Sequence, residues 1–189
     1  LLASSAASDV YKRQVRETGI GLYIDFLIPY LMINTANVSQ IIEFREAIEI
    51  SVARLAARRA TEENLEDIRQ KLEACNSSRH NTTAYPAVDL EFHCAIARAS
   101  KNDLLIQSMN VIKQYCFQAI SSYFTEDLAE AGADCHQKLF EALCAHNEDE
   151  AALYMSRHMA NIISRIPQND PAESVSYTHL RAHETDSYL

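Results

Sequence analysis

Apolar residues recur three and four positions apart from residue 38 onward, which is the spacing of helices that bury one face. The first such segment, VSQIIEFREAIEISVARLAARRA, carries its apolar stripe at Ile41, Phe44, Ile48, Val52, Leu55 and Ala56. The second, TEENLEDIRQKLEACN, repeats the pattern, and Thr61 is placed to cap its first turn. After the polar stretch SSRHNTTAY, Pro86 permits a third helix to start, because a proline fits the first helical turn. The first half of the body therefore predicts three helices.

The second half of the body continues the helical pattern with short breaks. LLIQSMNVIKQYCFQAISSYF predicts a long helix, and TEDLAEAG predicts a short helical turn or loop that ends at Gly132. ADCHQKLFEALCAH predicts the next helix, and NEDE precedes a last one, AALYMSRHMANIISRI, which Pro167 ends. Six or seven helices joined by short loops predict an all-α antiparallel bundle over residues 38–167.

The two ends of the chain differ from this helical body. Residues 15–26 place two glycines among apolar residues with strand propensity, which is typical of the end of a β-hairpin, and residues 27–37 predict a linker or short helix. Residues 1–14 and 174–189 match nothing in the body and resemble translated sequencing-adapter read-through. We therefore expect both segments to be artefacts, and we expect the histidine pair of HLRAH in the last one to carry no chemistry.

The composition limits the classes of protein to which the chain can belong. Hydrophobic residues make up 48% of the 189 residues and glycines number only 3, which suits a globular helical domain. The net charge of -9 opposes the binding of phosphates, so we do not expect this chain alone to bind nucleic acid strongly. No apolar run approaches the ~18 residues of a membrane span. Five cysteines without a CxxC pair suit reduced thiols, which predicts a cytoplasmic protein.

Four polar side chains fall on the inward stripes of three predicted helices. Asp89 and His93 are four residues apart and share one helix face, and His136 and His158 each lie three residues from an inward apolar residue. Taken singly, each histidine is explained as a core residue satisfied by a hydrogen bond. A buried carboxylate without a partner is strongly unfavourable, however, and a divalent cation would compensate all four groups together. The set predicts a metal site, and imidazole and carboxylate ligands suit Zn, Ni, Mn or Fe, with Zn, Ni or Mn as the expected ions.

Arg45 also tilts toward the core stripe of its helix. One interpretation is a snorkelling side chain, whose stem packs while its charged head reaches water. The other is a guanidinium that binds an anion through two parallel hydrogen bonds. Beside a metal with open coordination positions, the second interpretation predicts a pocket for a small carboxylate.

The remaining candidate residues receive structural interpretations. Cys94 and Cys135 each adjoin a proposed ligand but lie about 100° away around the helix, which indicates packing. His80 and His146 fall in predicted loops and are expected to be solvated. The RLAARR run, residues 54–59, is expected to be a solvated helix face rather than a nucleic-acid patch.

Three segments together resemble the ligand-sensing FCD domain of the FadR branch of GntR transcriptional regulators. They are EFREAIEISVARLAARRATEENL, DLEFHCAIARASKNDLL and HQKLFEAL followed by NEDEAALYMSRHM. The resemblance implies a dimeric bacterial regulator whose winged-helix DNA-binding domain precedes an all-helical domain. It implies that a divalent metal is bound by Asp89, His93, His136 and His158, that a small organic acid binds at this metal, and that Arg45 is the pocket arginine.

The same resemblance bears on the start of the chain. Residues 15–26 then look like the last strand of the wing, so DNA binding is expected only through the missing N-terminal winged-helix domain. Three alternatives stay open beside this hypothesis. The first is a metal-dependent enzyme, which is disfavoured because the sequence offers no obvious inward Glu or Asp near the metal as a general base. The others are a purely structural metal and a helical dimerisation module without metal.

Overall fold

The computed structural model describes residues 38–121 and 124–165, and every regular element in these two ranges is a helix. The helices are α1 (Val38–Arg59), α2 (Glu62–Ser78), α3 (Tyr85–Ala99), α4 (Asp103–Ser121), α5 (Glu126–Cys144) and α6 (Glu148–Ile163). The all-α prediction is confirmed, with six helices in the described part of the chain. The interpretations of residues 1–14, 15–26, 27–37 and 174–189 lie outside the described residues. None of the six helices is both long enough and apolar enough to cross a membrane.

Four of the helices begin at a side-chain cap, and at α4 the Asn102 side chain accepts from the backbone N–H groups of Leu104 and Leu105. The Thr61 hydroxyl accepts a hydrogen bond from the backbone N–H of Asn64, whose own side chain returns a bond to the Thr61 backbone. Thr125 caps α5 and Asn147 caps α6 in the same way, each accepting from a backbone N–H three residues later. The predicted cap at Thr61 is therefore confirmed. Caps of this kind each stabilise a helix by about 1 kcal/mol.

Helices α2 and α3 run antiparallel, as the contacts between them show. Arg98 near the end of α3 pairs with Asp67 near the start of α2 over 2.7 Å. The Cys75 thiol near the end of α2 donates to the carbonyl of Val88 near the start of α3 over 3.4 Å. The last two turns of α1 likewise meet the first turn of α6 through two ion pairs. The chain therefore closes into a bundle in which the first and last described helices are neighbours.

Helix α3 is the central element of the bundle. It packs against α1, α2 and α4, and six consecutive residues from Phe92 to Ala97 are buried. A helix that is buried on nearly all sides must be apolar all round, and YPAVDLEFHCAIARA satisfies this apart from a few polar positions. Asp89 and His93 are two of those positions. Because they lie on the central helix, their side chains are held inside the bundle.

The predicted break at Gly132 is wrong, because α5 runs without interruption from Glu126 to Cys144. No glycine of the described residues has a positive φ, so Gly132 does not act as a helix terminator here. The glycine instead lies against the His158 ring and the Tyr85 hydroxyl. Packing of α5 against α6 stabilises the helix across a residue with poor helix propensity.

The Gly132→Ala variant is expected to be more stable than the parent by about 0.5–1 kcal/mol, because alanine restricts the unfolded chain and suits a helix interior. A methyl group at residue 132 would lie 3.6 Å from His158 and 3.7 Å from the Tyr85 oxygen, which is ordinary van der Waals contact. Urea unfolding measures the change, and Ala133→Gly on the same helix should lose a similar amount. A loss of stability in Gly132→Ala would contradict this account of the packing.

The inward face of α1 also differs from the predicted stripe. Phe44 is 50% exposed, so its assignment to the core is wrong. The buried face instead runs through Ile42, Arg45, Glu49 and Val52, at spacings of three and four. Two charged residues therefore occupy core positions of α1, and both point toward the cluster on α3.

Candidate metal centre

Asp89, His93, His136 and His158 converge in the interior of the bundle. The first two are on α3, the third is on α5 and the fourth is on α6. Each offers one ligand atom, and these four atoms all lie within 4.8 Å of one another. All four residues are at most 3% exposed. The structure thus brings together the four residues that the sequence singled out from three separate segments.

The separations between the donor atoms suit a shared ion better than direct hydrogen bonds. Nε2 of His93 is 3.8 Å from Oδ2 of Asp89, and Nε2 of His136 is 3.6 Å from Oδ1 of Asp89. Both distances exceed the ~3.2 Å limit of a good hydrogen bond. Atoms that each lie about 2.0–2.2 Å from one ion are at most about 4.4 Å apart. The four donors could therefore hold one divalent cation after small side-chain adjustments.

Several buried polar atoms of this cluster have no hydrogen-bond partner within the described part of the chain. They are both carboxylate oxygens of Asp89 and both ring nitrogens of His93, His136 and His158. Leaving a buried donor or acceptor unsatisfied costs about 1–3 kcal/mol, so a cluster of such atoms is unusual unless they bind something. One carboxylate with three imidazoles is a donor set that suits Zn, Ni or Mn. The residues therefore fit the predicted metal by their chemistry as well as by their placement.

Burial keeps two histidines of the cluster in the neutral form that binds metals. Burial lowers the pKa of His136 well below its usual value, and the neighbouring His93 lowers it further. Burial lowers the pKa of His158 in the same way, with His136 as the next cause. Burial also raises the pKa of Asp89, because its charge is unfavourable in the interior without a cation. Neutral imidazoles present lone pairs, and a bound cation would restore the Asp89 carboxylate.

Glu49 is a fifth buried polar residue at the site, and the sequence analysis missed it. It is 1% exposed, its Oε1 accepts a hydrogen bond from Nε of Arg45 over 2.7 Å, and its Oε2 contacts Nδ1 of His93. This second contact brings together two buried polar atoms that have no other polar partner among the described residues. The expectation that no inward acid lies near the proposed metal is therefore wrong. One feature of the sequence could have indicated that Glu49 is buried: it lies four residues after Arg45 and three before Val52, on the same face of α1.

The Glu49 carboxyl is held in its charged form by its two neighbours. Burial alone would raise the pKa of Glu49, but the Arg45 guanidinium and then the His93 imidazole outweigh burial and bring it to about 2. Arg45 itself is 0% exposed, so the snorkelling interpretation is wrong. Glu49 is an internal anion that already pairs with Arg45, and the role of Arg45 toward an external acid stays a prediction.

The other candidate residues lie outside the cluster. His80 is exposed beside Glu126, and His146 is exposed with its Nδ1 2.7 Å from the carbonyl oxygen of Ala57. Cys94 and Cys135 are buried, and burial raises the pKa of the Cys94 thiol to about 11, so it is an inert packing residue.

The basic run at the end of α1 is engaged in ion pairs with α6. Arg54 pairs with Asp149 over 2.6 Å and Arg58 pairs with Glu148 over 2.5 Å, and both arginines remain about half-exposed. This arrangement is that of a solvated helix face. Its positive charges are offset by acids of the same chain.

Comparisons with known proteins agree with the fold. The FCD domain family matches residues 40–161 of this chain. The HTH-type transcriptional regulator LutR of Bacillus subtilis (strain 168) is 28% identical over 138 residues, which cover 70% of this chain and 63% of LutR. The Putative L-lactate dehydrogenase operon regulatory protein of Escherichia coli (strain K12) is 30% identical over 135 residues, which cover 69% of this chain and 52% of that protein.

A solved structure, Streptococcus agalactiae GntR, has the same fold. It aligns with a TM-score of 0.61 and 21% sequence identity over 68% of this chain and 59% of the GntR chain. The chain thus spans about half to two thirds of the length of the proteins that it matches.

Proposed function

The chain belongs to the FCD domain family, and from this premise we propose that it is the effector-binding and dimerisation part of a bacterial transcriptional regulator. The family match confirms the resemblance that the sequence motifs indicated. The observation that carries the proposal is the buried cluster of Asp89, His93, His136 and His158, with Arg45 on the adjacent helix. A purely structural core would satisfy such polar atoms within itself, and this one does not among the described residues.

Asp89, His93, His136 and His158 would hold a divalent metal, with Zn, Ni or Mn as the candidates. A cation bound there supplies the positive charge that offsets Asp89 and a Lewis-acidic centre for a carboxylate oxygen. The chain's contribution is to hold the four donors on three helices that are packed by the rest of the bundle. The packed helices therefore bring the donors close together before any ligand arrives, which favours selective binding.

The proposed effector is a small carboxylate, with Arg45 as its cationic partner. Arginine suits carboxylates because its planar guanidinium can donate two parallel hydrogen bonds, and here its Nε already donates to the Glu49 carboxylate. One relative is named for an L-lactate dehydrogenase operon, which supports a small hydroxy acid as the first candidate. Because Arg45 and the four donors are at most 3% exposed, an acid can reach them only if the surrounding helices move.

Because the site is buried, binding of an acid would be coupled to a change in how the helices are arranged. In the arrangement described here the site is closed, and admitting an acid requires a different spacing of α1 from α3, α5 and α6. An acid would therefore stabilise the acid-bound arrangement relative to the closed one. We propose that two copies of the chain form a dimer in the cytoplasm and that the change is passed to DNA-reading parts outside the FCD domain. The net charge of -9 supports this division, because an acidic sensor repels DNA phosphates.

A metal-dependent enzyme is the principal alternative, and Glu49 is the acid that it would need. Both oxygens of Glu49 are engaged, however, one with Arg45 and the other with His93. A general base needs a free oxygen within reach of the proton that it abstracts. The relatives are named as regulators, which also supports a sensor rather than an enzyme.

The Arg45→Lys variant is expected to bind a small acid at least about tenfold more weakly than the parent, because lysine keeps the charge but loses the planar fork that grips a carboxylate. The measurement is calorimetric titration of Zn²⁺-loaded protein with L-lactate, pyruvate, succinate and gluconate. Arg54→Lys is the matched control, since Arg54 lies on the same helix but is exposed. Binding of no acid by the parent, or equal binding by Arg45→Lys, would refute the pocket.

A further inference from the structure

Glu49 joins the two halves of the buried site. One of its carboxylate oxygens accepts a hydrogen bond from Nε of Arg45 over 2.7 Å, and the other contacts Nδ1 of His93. Arg45, Glu49 and His93 are each at most 1% exposed, so water does not compete for these contacts. Arg45 and Glu49 are one turn apart on α1, whereas His93 is on α3. A single carboxylate therefore links the cation proposed for the acid to a histidine proposed for the metal.

The two ring nitrogens of His93 face different partners. Nδ1 contacts Glu49, and Nε2 lies 3.8 Å from Oδ2 of Asp89 on the side of the cluster. A neutral imidazole carries one N–H and one lone pair. With the proton on Nδ1, the Glu49 carboxylate receives a hydrogen bond and the lone pair of Nε2 faces the cluster. With the proton on Nε2, a lone pair would face a carboxylate and an N–H would face the other donors.

The other two histidines lack such a partner within the described residues. No ring nitrogen of the three histidines meets full hydrogen-bond geometry, but among the described residues only His93 has a carboxylate from outside the donor set against it. His136 lies against Asp89 through Nε2 at 3.6 Å, which is a contact within the cluster and not one from outside it. His93 is thus the histidine whose tautomer a carboxylate outside the donor set can determine.

We propose that Glu49 is a positioning residue that fixes His93 as the Nδ1–H tautomer, so that Nε2 presents its lone pair to the metal. This inference rests on the proposed function, because it takes His93 as a ligand. The same carboxylate orients the Arg45 guanidinium, so one side chain sets the geometry of both halves of the site. Carboxylates that hold a ligating histidine in this way strengthen metal binding by fixing the ring and raising its basicity.

The Glu49→Gln variant tests this role because arginine dictates how the new amide must point. Arg45 can only donate, so the amide oxygen must turn toward Arg45 and the amide NH₂ toward His93. The NH₂ group then donates to Nδ1, which forces the His93 proton onto Nε2. The variant keeps the size and polarity of residue 49 but removes the lone pair of Nε2 from the cluster.

Two measurements give the outcome. Nitrogen-15 NMR of the imidazoles in metal-free protein is expected to show His93 with the proton on Nδ1 in the parent and on Nε2 in Glu49→Gln. Competition with a chromophoric chelator is expected to show Zn²⁺ binding about 10- to 100-fold weaker in the variant. Glu43→Gln is the matched control, since it removes the same charge from an exposed position of α1, and it should match the parent in both measurements.

Each contrary result has a distinct meaning. A parent His93 with its proton on Nε2 overturns the inference, and this measurement does not require the variant to fold. Zn²⁺ affinity in a folded Glu49→Gln equal to that of the parent and of Glu43→Gln also overturns it. If the parent protein itself binds no Zn²⁺, the proposed function fails and the inference fails with it. This outcome is distinct from failure of the inference alone, in which the parent binds Zn²⁺ and Glu49→Gln binds it equally well.

Discussion

Zn²⁺ added to the metal-free protein is expected to raise the melting temperature by roughly 5–15 °C. A ligand that binds only the folded state at 100- to 1,000-fold above its Kd stabilises it by about 2.7–4.1 kcal/mol. For a chain of this length, each kcal/mol shifts the melting temperature by about 2–4 °C. The four donors come from α3, α5 and α6, which are far apart in the unfolded chain, so binding should require the fold. Differential scanning calorimetry with and without a chelator measures the shift.

The His136→Gln variant is expected to lose most of this shift. Glutamine keeps a polar side chain of similar size but removes the imidazole from a position that is 0% exposed. His80→Gln is the matched control, because His80 is exposed and lies outside the cluster, and its variant should shift as the parent does. An equal shift in parent and His136→Gln would mean that the ion binds elsewhere. A shift that no small acid increases would favour a purely structural metal.

The Arg45→Met variant is expected to be less stable than the parent by about 3–5 kcal/mol, which is the usual loss when one partner of a buried ion pair is removed. Methionine fills much of the same volume, so the loss would report the charge and not a cavity. Glu49 would be left buried with its carboxylate unpaired on that side, and Asp89 would lose a nearby cation. Urea unfolding of the metal-free protein measures the change.

The origin of that loss can be checked with a second substitution. In the Arg45→Met background, Glu49→Gln removes the stranded charge, and its amide oxygen is free to accept from His93. The double variant is therefore expected to recover a large part of the lost stability. Arg54→Met is the control on the same helix, and it should change stability by about 1 kcal/mol or less because its ion pair is exposed. A double variant no more stable than Arg45→Met would show that the guanidinium stabilises the fold by packing alone.

The sequence by itself determined the class of fold. Helices with one apolar face leave a repeat of three and four residues, and capping residues such as Thr61 mark where they begin. The same local rule placed Asp89 and His93 on one face of α3, and it put His136 and His158 on inward faces of their own helices. These features depend on residues at most four positions apart, so they can be predicted from one chain.

The errors of prediction arose where contacts between helices override the local rule. Gly132 predicts a helix end, yet α5 continues because its packing against α6 and α3 outweighs the weak propensity of one glycine. Phe44 predicts a core position, yet it is half-exposed because the buried face of α1 is rotated toward Arg45 and Glu49. Hydrophobic spacing cannot signal a face whose central residues are charged.

Only the tertiary structure decided which polar residues meet. Residues 89, 136 and 158 are on three helices, and their donor atoms come within 4.8 Å because α3, α5 and α6 enclose one interior region. Glu49 became a member of the site in the same way, since its partner His93 lies 44 positions along the chain on another helix. A buried charge is stable only beside a compensating group, and which group lies beside it is a property of the packed bundle.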